Sequence, residues 1–129
     1  SKKNPNEHDI EIDWFKMFWN STNLDWVNSA NALNEIGCIH TVQWYDLNYV
    51  WVIIWDELSF DDSTWEFVIK SSNYYDKNWK NGITDNEELK RYIINIYKTL
   101  FTRGIEWTYV YIVDEKLREY LKMMISVKR

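Results

Sequence analysis

The longest apolar run in the chain, residues 49–55, constrains the fold more than any other segment. A strand that is apolar on both faces is typical of the middle of a parallel sheet that helices cover on each side. The run is far shorter than the roughly 20 residues needed to cross a bilayer, and the amino end lacks the pattern of a signal peptide. The sequence therefore predicts a cytoplasmic α/β protein without a membrane contact.

Helix and strand alternate in the second half of the chain. Residues 86–103 repeat apolar side chains at the spacing of one helix face, and Thr84 and Glu87 have the spacing of a capping box at its start. Residues 107–113 are β-branched and aromatic, as in strands, and Asp114 can cap a final helix. With right-handed crossovers, this order predicts a three-layer α/β domain.

The other segments predict hairpins and connections. Residues 9–19 alternate apolar and polar positions around a short junction, which is the pattern of a hairpin. Residues 35–42 predict a buried strand. Residues 58–70 predict a second hairpin, and with the polar loop that follows they make residues 58–84 an excursion from a mostly parallel sheet. We expect residues 1–129 to form one domain.

Composition excludes several classes of function. The net charge of -5 disfavours a free-standing nucleic-acid binder. The single cysteine, Cys38, forms no internal disulfide, and the presence of only His8 and His40 beside it argues against metal catalysis. The positions of the three glycines match neither of the glycine-rich phosphate-binding motifs, G-x-x-x-x-G-K-[ST] and G-x-G-x-x-G, nor the G-x-S-x-G nucleophile elbow. The chain alone is therefore expected to bind no nucleotide, and its opening on Ser1 suggests a fragment of a longer protein.

Two short segments carry residues suited to a nucleotide-dependent site. Residues 37–47 read GCIHTVQWYDL and precede the apolar strand, whereas residues 100–104 read LFTRG and end the long helix. Sites of α/β sheets lie at the carboxyl ends of strands, and we expect both segments there. An arginine held at such a turn, here Arg103, can reach across an interface to a nucleotide phosphate.

Together these segments resemble two motifs in the second RecA-like domain of superfamily-one helicases, the His-x-x-Gln-Gly-x-Asp/Glu element and the Thr-Arg-Gly/Ala element. Residues 34–43, 46–50 and 95–104 are similar, in order and spacing, to the Schlafen-group-three-like DNA/RNA helicase domains, which are predicted P-loop ATPases of bacteria. Residues 108–114 continue the likeness. The resemblance implies a RecA-like fragment of an ATP-driven motor.

On the nucleic-acid side, the resemblance implies that His40 and Thr41 contact DNA or RNA and that Gln43 couples this contact to ATP hydrolysis. A histidine at a strand end can also be a simple hydrogen-bonded residue. The partners implied are a nucleic acid and an upstream RecA-like domain of the same parent chain.

On the nucleotide side, the resemblance implies that Arg103, with Thr102 beside it, senses the γ-phosphate and stabilises charge during phosphoryl transfer. Asp46 would contact the ribose, although capping a short helix would explain it equally well. ATP and Mg²⁺ would be held by the upstream domain, so we expect no turnover by residues 1–129 alone.

The sequence departs from the family pattern in one systematic way. Average usage of about 7% would give roughly nine glycines in a chain of this length, whereas there are 3 glycines and 9 tryptophans. Tryptophan stands where the resemblance implies glycine at seven positions: Trp14, Trp44, Trp51, Trp55, Trp65, Trp79 and Trp107. Either the sequence is an altered form of the natural chain, or this protein has repacked around the indoles.

A second hypothesis belongs to another class of function. The chain could be a non-catalytic α/β interaction module that presents aromatic surface to a protein partner. A large exposed apolar patch would favour this alternative, because such patches mark interaction sites.

Overall fold

The computed structural model describes residues 8–12, 15–70, 72 and 85–125. The chain divides into two compact units, Ser1–Tyr45 and Asp46–Arg129, and each is described by itself. The single domain over residues 1–129 stays a prediction. Within the described residues, no helix is both long enough and apolar enough to cross a membrane.

The first unit contains short strands, two 3-10 turns and a small helix. Its elements are β1 (Ile10–Ile12), β2 (Phe15–Trp19), the 3-10 turns Trp26–Asn28 and Ala32–Asn34, β3 (Glu35–Ile36) and α1 (Ile39–Val42). The predicted hairpin is confirmed, because β1 and β2 pair antiparallel with Ile12 opposite Phe15. Strand β3 adds to β2 in parallel.

The buried strand predicted over residues 35–42 is wrong beyond Ile36. Its partner β2 ends at Trp19, which lies opposite Ile36, so the ladder has no further residue to pair with. The backbone N–H groups of Thr41 and Val42 donate instead to the carbonyl of Cys38, which begins α1. The apolar spacing of this segment therefore belongs to a helical turn.

Glu35 anchors the loop between β2 and β3. Its carboxylate is buried and accepts hydrogen bonds from the Ser21 N–H at 3.1 Å and the Trp26 indole N–H at 2.9 Å. Burial raises the pKa of Glu35, but these hydrogen bonds outweigh it and hold the pKa below its usual value. Trp26 is thus a tryptophan with a defined structural role.

The second unit contains two small sheets and two long helices. Its elements are β4 (Leu47–Ile54), β5 (Leu58–Asp61), β6 (Glu66–Ile69), α2 (Asn86–Phe101), β7 (Gly104–Ile112) and α3 (Glu115–Met124). Strands β4 and β7 pair in parallel, and β5 and β6 form the predicted antiparallel hairpin. The α/β class is confirmed, with small sheets that are partly antiparallel.

Both long helices begin at aspartates that cap them. The Asp114 carboxylate accepts the Leu117 N–H at 2.7 Å, as predicted. The capping residue of α2 is Asp85, which accepts the Glu87 N–H at 3.0 Å, so the capping box predicted with Thr84 is wrong in its first residue. Thr84 itself, with most of the predicted polar loop, lies outside the described residues.

The two faces of the β4–β7 sheet differ in burial. On one face Val50, Val52, Ile54 and Ile112 are buried, and α2 packs against both strands. The opposite face carries five exposed aromatic side chains: Tyr49, Trp51, Trp107, Tyr109 and Tyr111. We call this surface the aromatic face. Helices therefore cover one side of this sheet among the described residues, whereas the sequence predicts cover on both.

Of the tryptophans at predicted glycine positions, the five that the structure describes are not among the buried core residues. Trp44 is 80% exposed and Trp51 is 60% exposed. Trp65, in the turn between β5 and β6, is 61% exposed and has a left-handed backbone with φ of 60°. Trp107 is exposed, and Trp55 is half-buried. Trp14 and Trp79 lie outside the described residues.

A buried carboxyl group, that of Glu57, links the turn after β4 to α2. It accepts a hydrogen bond from the hydroxyl of Tyr97, and both residues are buried. Burial raises the pKa of Glu57 above its usual value, and the Tyr97 hydrogen bond only partly opposes this. The native state consequently keeps a proton on Glu57 at a pH where the unfolded chain has lost it.

Stability is therefore expected to fall as pH rises through the window between the unfolded and the folded pKa of Glu57. Glu57→Gln keeps an oxygen for the Tyr97 hydroxyl and removes the ionisation, so it should flatten this decline. At the highest pH of the window, the variant should therefore be more stable than the unsubstituted protein. Urea denaturation from about pH 5 to about pH 8 measures this. The exposed Glu66 is the control: Glu66→Gln should leave the decline in place.

Candidate functional site

Two of the residues expected at the nucleotide lie side by side in the second unit. Leu47 pairs with Gly104 at the beginning of the parallel strands, so the residues just before them, Asp46 and Arg103, are neighbours. Arg103 Nη1 donates to Asp46 Oδ1 at 3.0 Å, and the Leu47 N–H donates to the Arg103 carbonyl at 3.0 Å. Strand pairing thus joins two segments that are 57 residues apart.

This placement corrects one expectation. Asp46 and Arg103 lie at the amino ends of β4 and β7, not at the carboxyl ends predicted above. The reason is that each strand begins immediately after its polar residue. The apolar stretch of β4 and the β-branched stretch of β7 therefore continue away from the site.

The end of α2 fixes the backbone of Arg103. The Arg103 N–H donates to the Leu100 carbonyl at 3.1 Å, and the Thr102 hydroxyl donates to the Thr99 carbonyl at 2.7 Å. The Thr108 hydroxyl, from β7, donates to the Phe101 carbonyl at 3.1 Å. Carbonyls that a helix end would otherwise leave without partners are thus bonded, and the positive Arg103 sits at the negative end of the helix dipole.

Gly104 allows the chain to pass directly from this helix end into β7. A Cβ atom on Gly104 would lie closer than 3.0 Å to the Trp107 carbonyl and to the Thr108 hydroxyl. The β4–β7 register shifts just beyond it, between Leu47 and Tyr49, which marks a bulge. Bulges near sites re-aim neighbouring side chains, and here the bulge adjoins Arg103.

The electrostatics leave Arg103 available to a further anion. Its side chain is 29% exposed, whereas that of Asp46 is 66% exposed. Such exposed ion pairs contribute only about 0 to 1 kcal/mol. Arg103 Nε is buried and donates to no atom among the described residues. Asp46 therefore orients the guanidinium at small cost, and the exposed part of the Arg103 side chain can contact a ligand.

The three residues expected at nucleic acid belong to the first unit. His40 and Thr41 lie in α1 and Gln43 follows it, its N–H donating to the Ile39 carbonyl at 3.2 Å. Thr41 is buried, and its hydroxyl lies 3.2 Å from the Cys38 sulfur and donates to Asn23 Oδ1 at 3.3 Å. Thr41 thus ties α1 to the preceding loop, while His40 and Gln43 are half-buried.

Sequence reasoning identified Asp46 as a site residue but missed its contact with Arg103, and it missed Thr108 altogether. Thr108 supports the helix end, and Asp46 pairs with the arginine itself. The residue types gave no signal for either contact, since both depend on the register of β4 against β7. Among the described residues, no group of three or more His, Cys, Asp or Glu side chains could hold a metal ion. The positive and partly exposed side chain of Arg103 suits an anionic phosphate held from elsewhere.

The second unit is thus an α/β unit in which Arg103 lies between the end of a helix and the beginning of a parallel strand. The chain matches the family model described as Schlafen group 3, DNA/RNA helicase domain, over residues 1–114, and it belongs to this family. It is also 32% identical over 117 residues to the Saccharomyces cerevisiae (strain ATCC 204508 / S288c) protein described as "Uncharacterized protein YPL245W". The match covers 84% of this chain and 26% of that relative. No solved structure matches the chain.

Proposed function

We propose that the chain is part of the second RecA-like domain of a helicase-type ATPase, with Arg103 as the residue that senses the nucleotide γ-phosphate. One observation carries the proposal: the end of α2 fixes the backbone of Arg103, and the weak ion pair with Asp46 orients its partly exposed guanidinium. The family membership supports the same function. The three-layer RecA-like arrangement is part of this proposal.

The proposal gives each of these residues a role. ATP and Mg²⁺ would be held by an upstream RecA-like domain of the parent, meaning the longer polypeptide to which this chain would belong. Arg103 would stabilise the charge that develops on the γ-phosphate in phosphoryl transfer. Thr102 would keep the end of α2 in place beneath it. Asp46 would hold the guanidinium until the nucleotide arrives and then be free to accept a ribose hydroxyl.

The nucleic-acid contact would come from the first unit. His40 would contact the DNA or RNA strand, and Thr41 would hold α1 in the orientation that presents it. Gln43, directly after α1, would couple the strand to the nucleotide. The acidic net charge of the chain means that this contact would be local rather than driven by overall charge.

The test is ATP hydrolysis by the full-length parent, carrying glycine at the seven positions where the family pattern implies it, with and without single-stranded DNA or RNA. We expect nucleic-acid-stimulated hydrolysis by the parent and none by residues 1–129 alone. A parent without a phosphate loop or without hydrolysis under both conditions would contradict the proposal.

A second candidate is the non-catalytic interaction module, and a specific observation favours it. The aromatic face is the kind of exposed apolar surface that marks an interaction site. This candidate predicts that substituting Arg103 leaves the function of the parent intact, whereas substituting Tyr109 abolishes binding of a separate partner protein.

A further inference from the structure

A single hydroxyl group, that of Thr108, contacts the backbone on both sides of Arg103. It donates to the Phe101 carbonyl at 3.1 Å, two residues before the arginine. After the arginine, it lies so close to Gly104 that a Cβ atom there would be less than 3.0 Å from it. The Thr108 hydroxyl therefore fills the space between the last turn of α2 and the first residue of β7.

The position of Thr108 in the sheet fixes the direction of this hydroxyl. Thr108 lies opposite Val50, which is buried on the face that α2 covers. Residues directly opposite each other in paired strands share a face of the sheet, so Thr108 also faces α2. Its β-branched side chain has few rotamers in a strand. The pairing of β7 with β4 thus aims the Thr108 hydroxyl at the end of the helix.

The Phe101 carbonyl needs a partner because it belongs to the last turn of α2. The last four carbonyls of a helix have no acceptor role within the helix itself. The Thr108 hydroxyl, from the neighbouring strand, bonds one of them. Arg103 follows two residues later, so the direction in which its side chain leaves the backbone depends on the turn that this hydrogen bond stabilises.

We propose that Thr108 is a positioning residue, which holds Arg103 in the orientation that the transferring phosphoryl group requires. This rests on the proposed function of Arg103 and adds a residue to it. Asp46 acts on the guanidinium through an exposed ion pair, and such pairs contribute only about 0 to 1 kcal/mol. Thr108 acts instead on the backbone that carries the side chain, and it reaches the nucleotide only through the arginine.

The test is steady-state ATP hydrolysis by the full-length parent, with glycine at the seven positions and saturating single-stranded DNA or RNA. Thr108→Val replaces the hydroxyl with a methyl group of similar size. It should lower kcat by roughly 10- to 100-fold, because a misplacement of about 1 Å can cost about 10²-fold in rate. KM for ATP should change far less, since the upstream domain would hold the nucleotide. Thr108→Ser keeps the hydroxyl and should retain most of the rate.

Thr99 provides the matched control. Its hydroxyl donates to the Asn95 carbonyl at 3.0 Å, within α2. Thr99→Val therefore makes the same chemical change one turn earlier, and kcat should stay unchanged. Thr108→Ala removes the hydroxyl without adding a methyl group and replaces Thr108→Val if the valine variant fails to fold. An original kcat without the Thr108 hydroxyl, or a loss in Thr108→Ser as large as that in Thr108→Val, would overturn the proposal.

A double-mutant cycle distinguishes action through Arg103 from a general loss of structure. In a parent that already carries Arg103→Ala, Thr108→Val should lower kcat no further. A second loss of the same size would show that Thr108 acts independently of the arginine, which contradicts a positioning role. If Arg103→Ala alone leaves kcat unchanged, the proposed function fails and the positioning role fails with it. A large loss in Arg103→Ala with none in Thr108→Val removes the positioning role alone.

Discussion

Arg103→Ala in the full-length parent is expected to lower kcat for nucleic-acid-stimulated ATP hydrolysis by at least about 10³-fold, the loss seen when an arginine that stabilises the transferring phosphoryl group is removed. ATP binding should change far less, because the nucleotide would be held by the upstream domain. Arg103→Lys should not restore the rate, since an ammonium lacks the planar fork of the guanidinium. Steady-state kinetics with saturating DNA or RNA measures kcat and KM separately.

Two further variants separate the sensor from its surroundings. Arg91 is an exposed arginine on the same helix, α2, and Arg91→Ala should leave kcat unchanged. Asp46→Ala removes the orienting carboxylate and the proposed acceptor of the ribose hydroxyl but keeps the guanidinium, so its effect on kcat should be smaller than that of Arg103→Ala. An Arg103→Ala parent that folds, binds ATP and hydrolyses it at the original rate would eliminate the proposed role of Arg103.

The Trp65→Gly variant is expected to have a free energy of unfolding about 1 kcal/mol higher than that of Trp65→Ala. At most positions in a folded protein, alanine is the more stabilising of the two residues. The left-handed backbone at Trp65, with φ of 60°, costs a residue with a Cβ atom about 1 to 2 kcal/mol. Glycine escapes this cost and loses only about 0.5 to 1 kcal/mol through its greater freedom in the unfolded chain. Denaturant unfolding of Trp65→Gly and Trp65→Ala measures the difference.

Comparing the two variants with each other, rather than with the tryptophan form, removes the effect of losing the contacts of the Trp65 ring. The Trp65 ring lies edge-on to Phe60 and Tyr120, with centroids 5.4 Å and 5.8 Å away. Both substitutions lose these contacts, so they cancel. Thr64, the preceding residue of the same turn, is the control, and there alanine should be better than glycine by about 0.5 to 1 kcal/mol. Alanine equal to or better than glycine at position 65 would show that the turn does not require glycine.

The hypothesis that these tryptophans replace natural glycines also predicts what the gene contains. Independent mutation of glycine codons would give several different residues, whereas the suspect positions all carry tryptophan. A single codon that is translated as glycine in the source of the protein, but is read here as tryptophan, would explain why the same residue stands at every suspect position. Sequencing the parent gene, together with mass spectrometry of the protein from its own source, should show one shared codon and glycine at these positions. Ordinary tryptophan codons and tryptophan in the protein would indicate a chain that carries its indoles on the surface.

Much of the fold follows from local patterns in the sequence. The apolar spacing predicted α2, which ends at Phe101, two residues before the predicted end. Asp114 was identified as a cap, and the turn residues after Asp61 predicted the second hairpin. Hydrophobic periodicity and capping act over a few residues, so they can be read without the tertiary structure.

The candidate site could be predicted only in part. The residue types and their order identified the family, which the match over residues 1–114 confirms. The ends of the strands at which Asp46 and Arg103 lie were predicted wrongly. The division of Glu35–Ile36 from α1 was also missed, because the length of β3 depends on where β2 ends. Apolar spacing in so short a segment does not distinguish a strand from a helical turn.

By itself, then, the sequence determined the two long helices, the two hairpins and the family, and it showed the shortage of glycine. The tertiary structure decided which distant residues meet: the register of β4 against β7 pairs Asp46 with Arg103. It also decided that one face of an apolar strand stays exposed, and that Trp65 occupies a left-handed turn. Local patterns reflect interactions between residues close in the chain, whereas register, burial and turn geometry depend on elements that lie far apart in the sequence and pack together only in the folded protein.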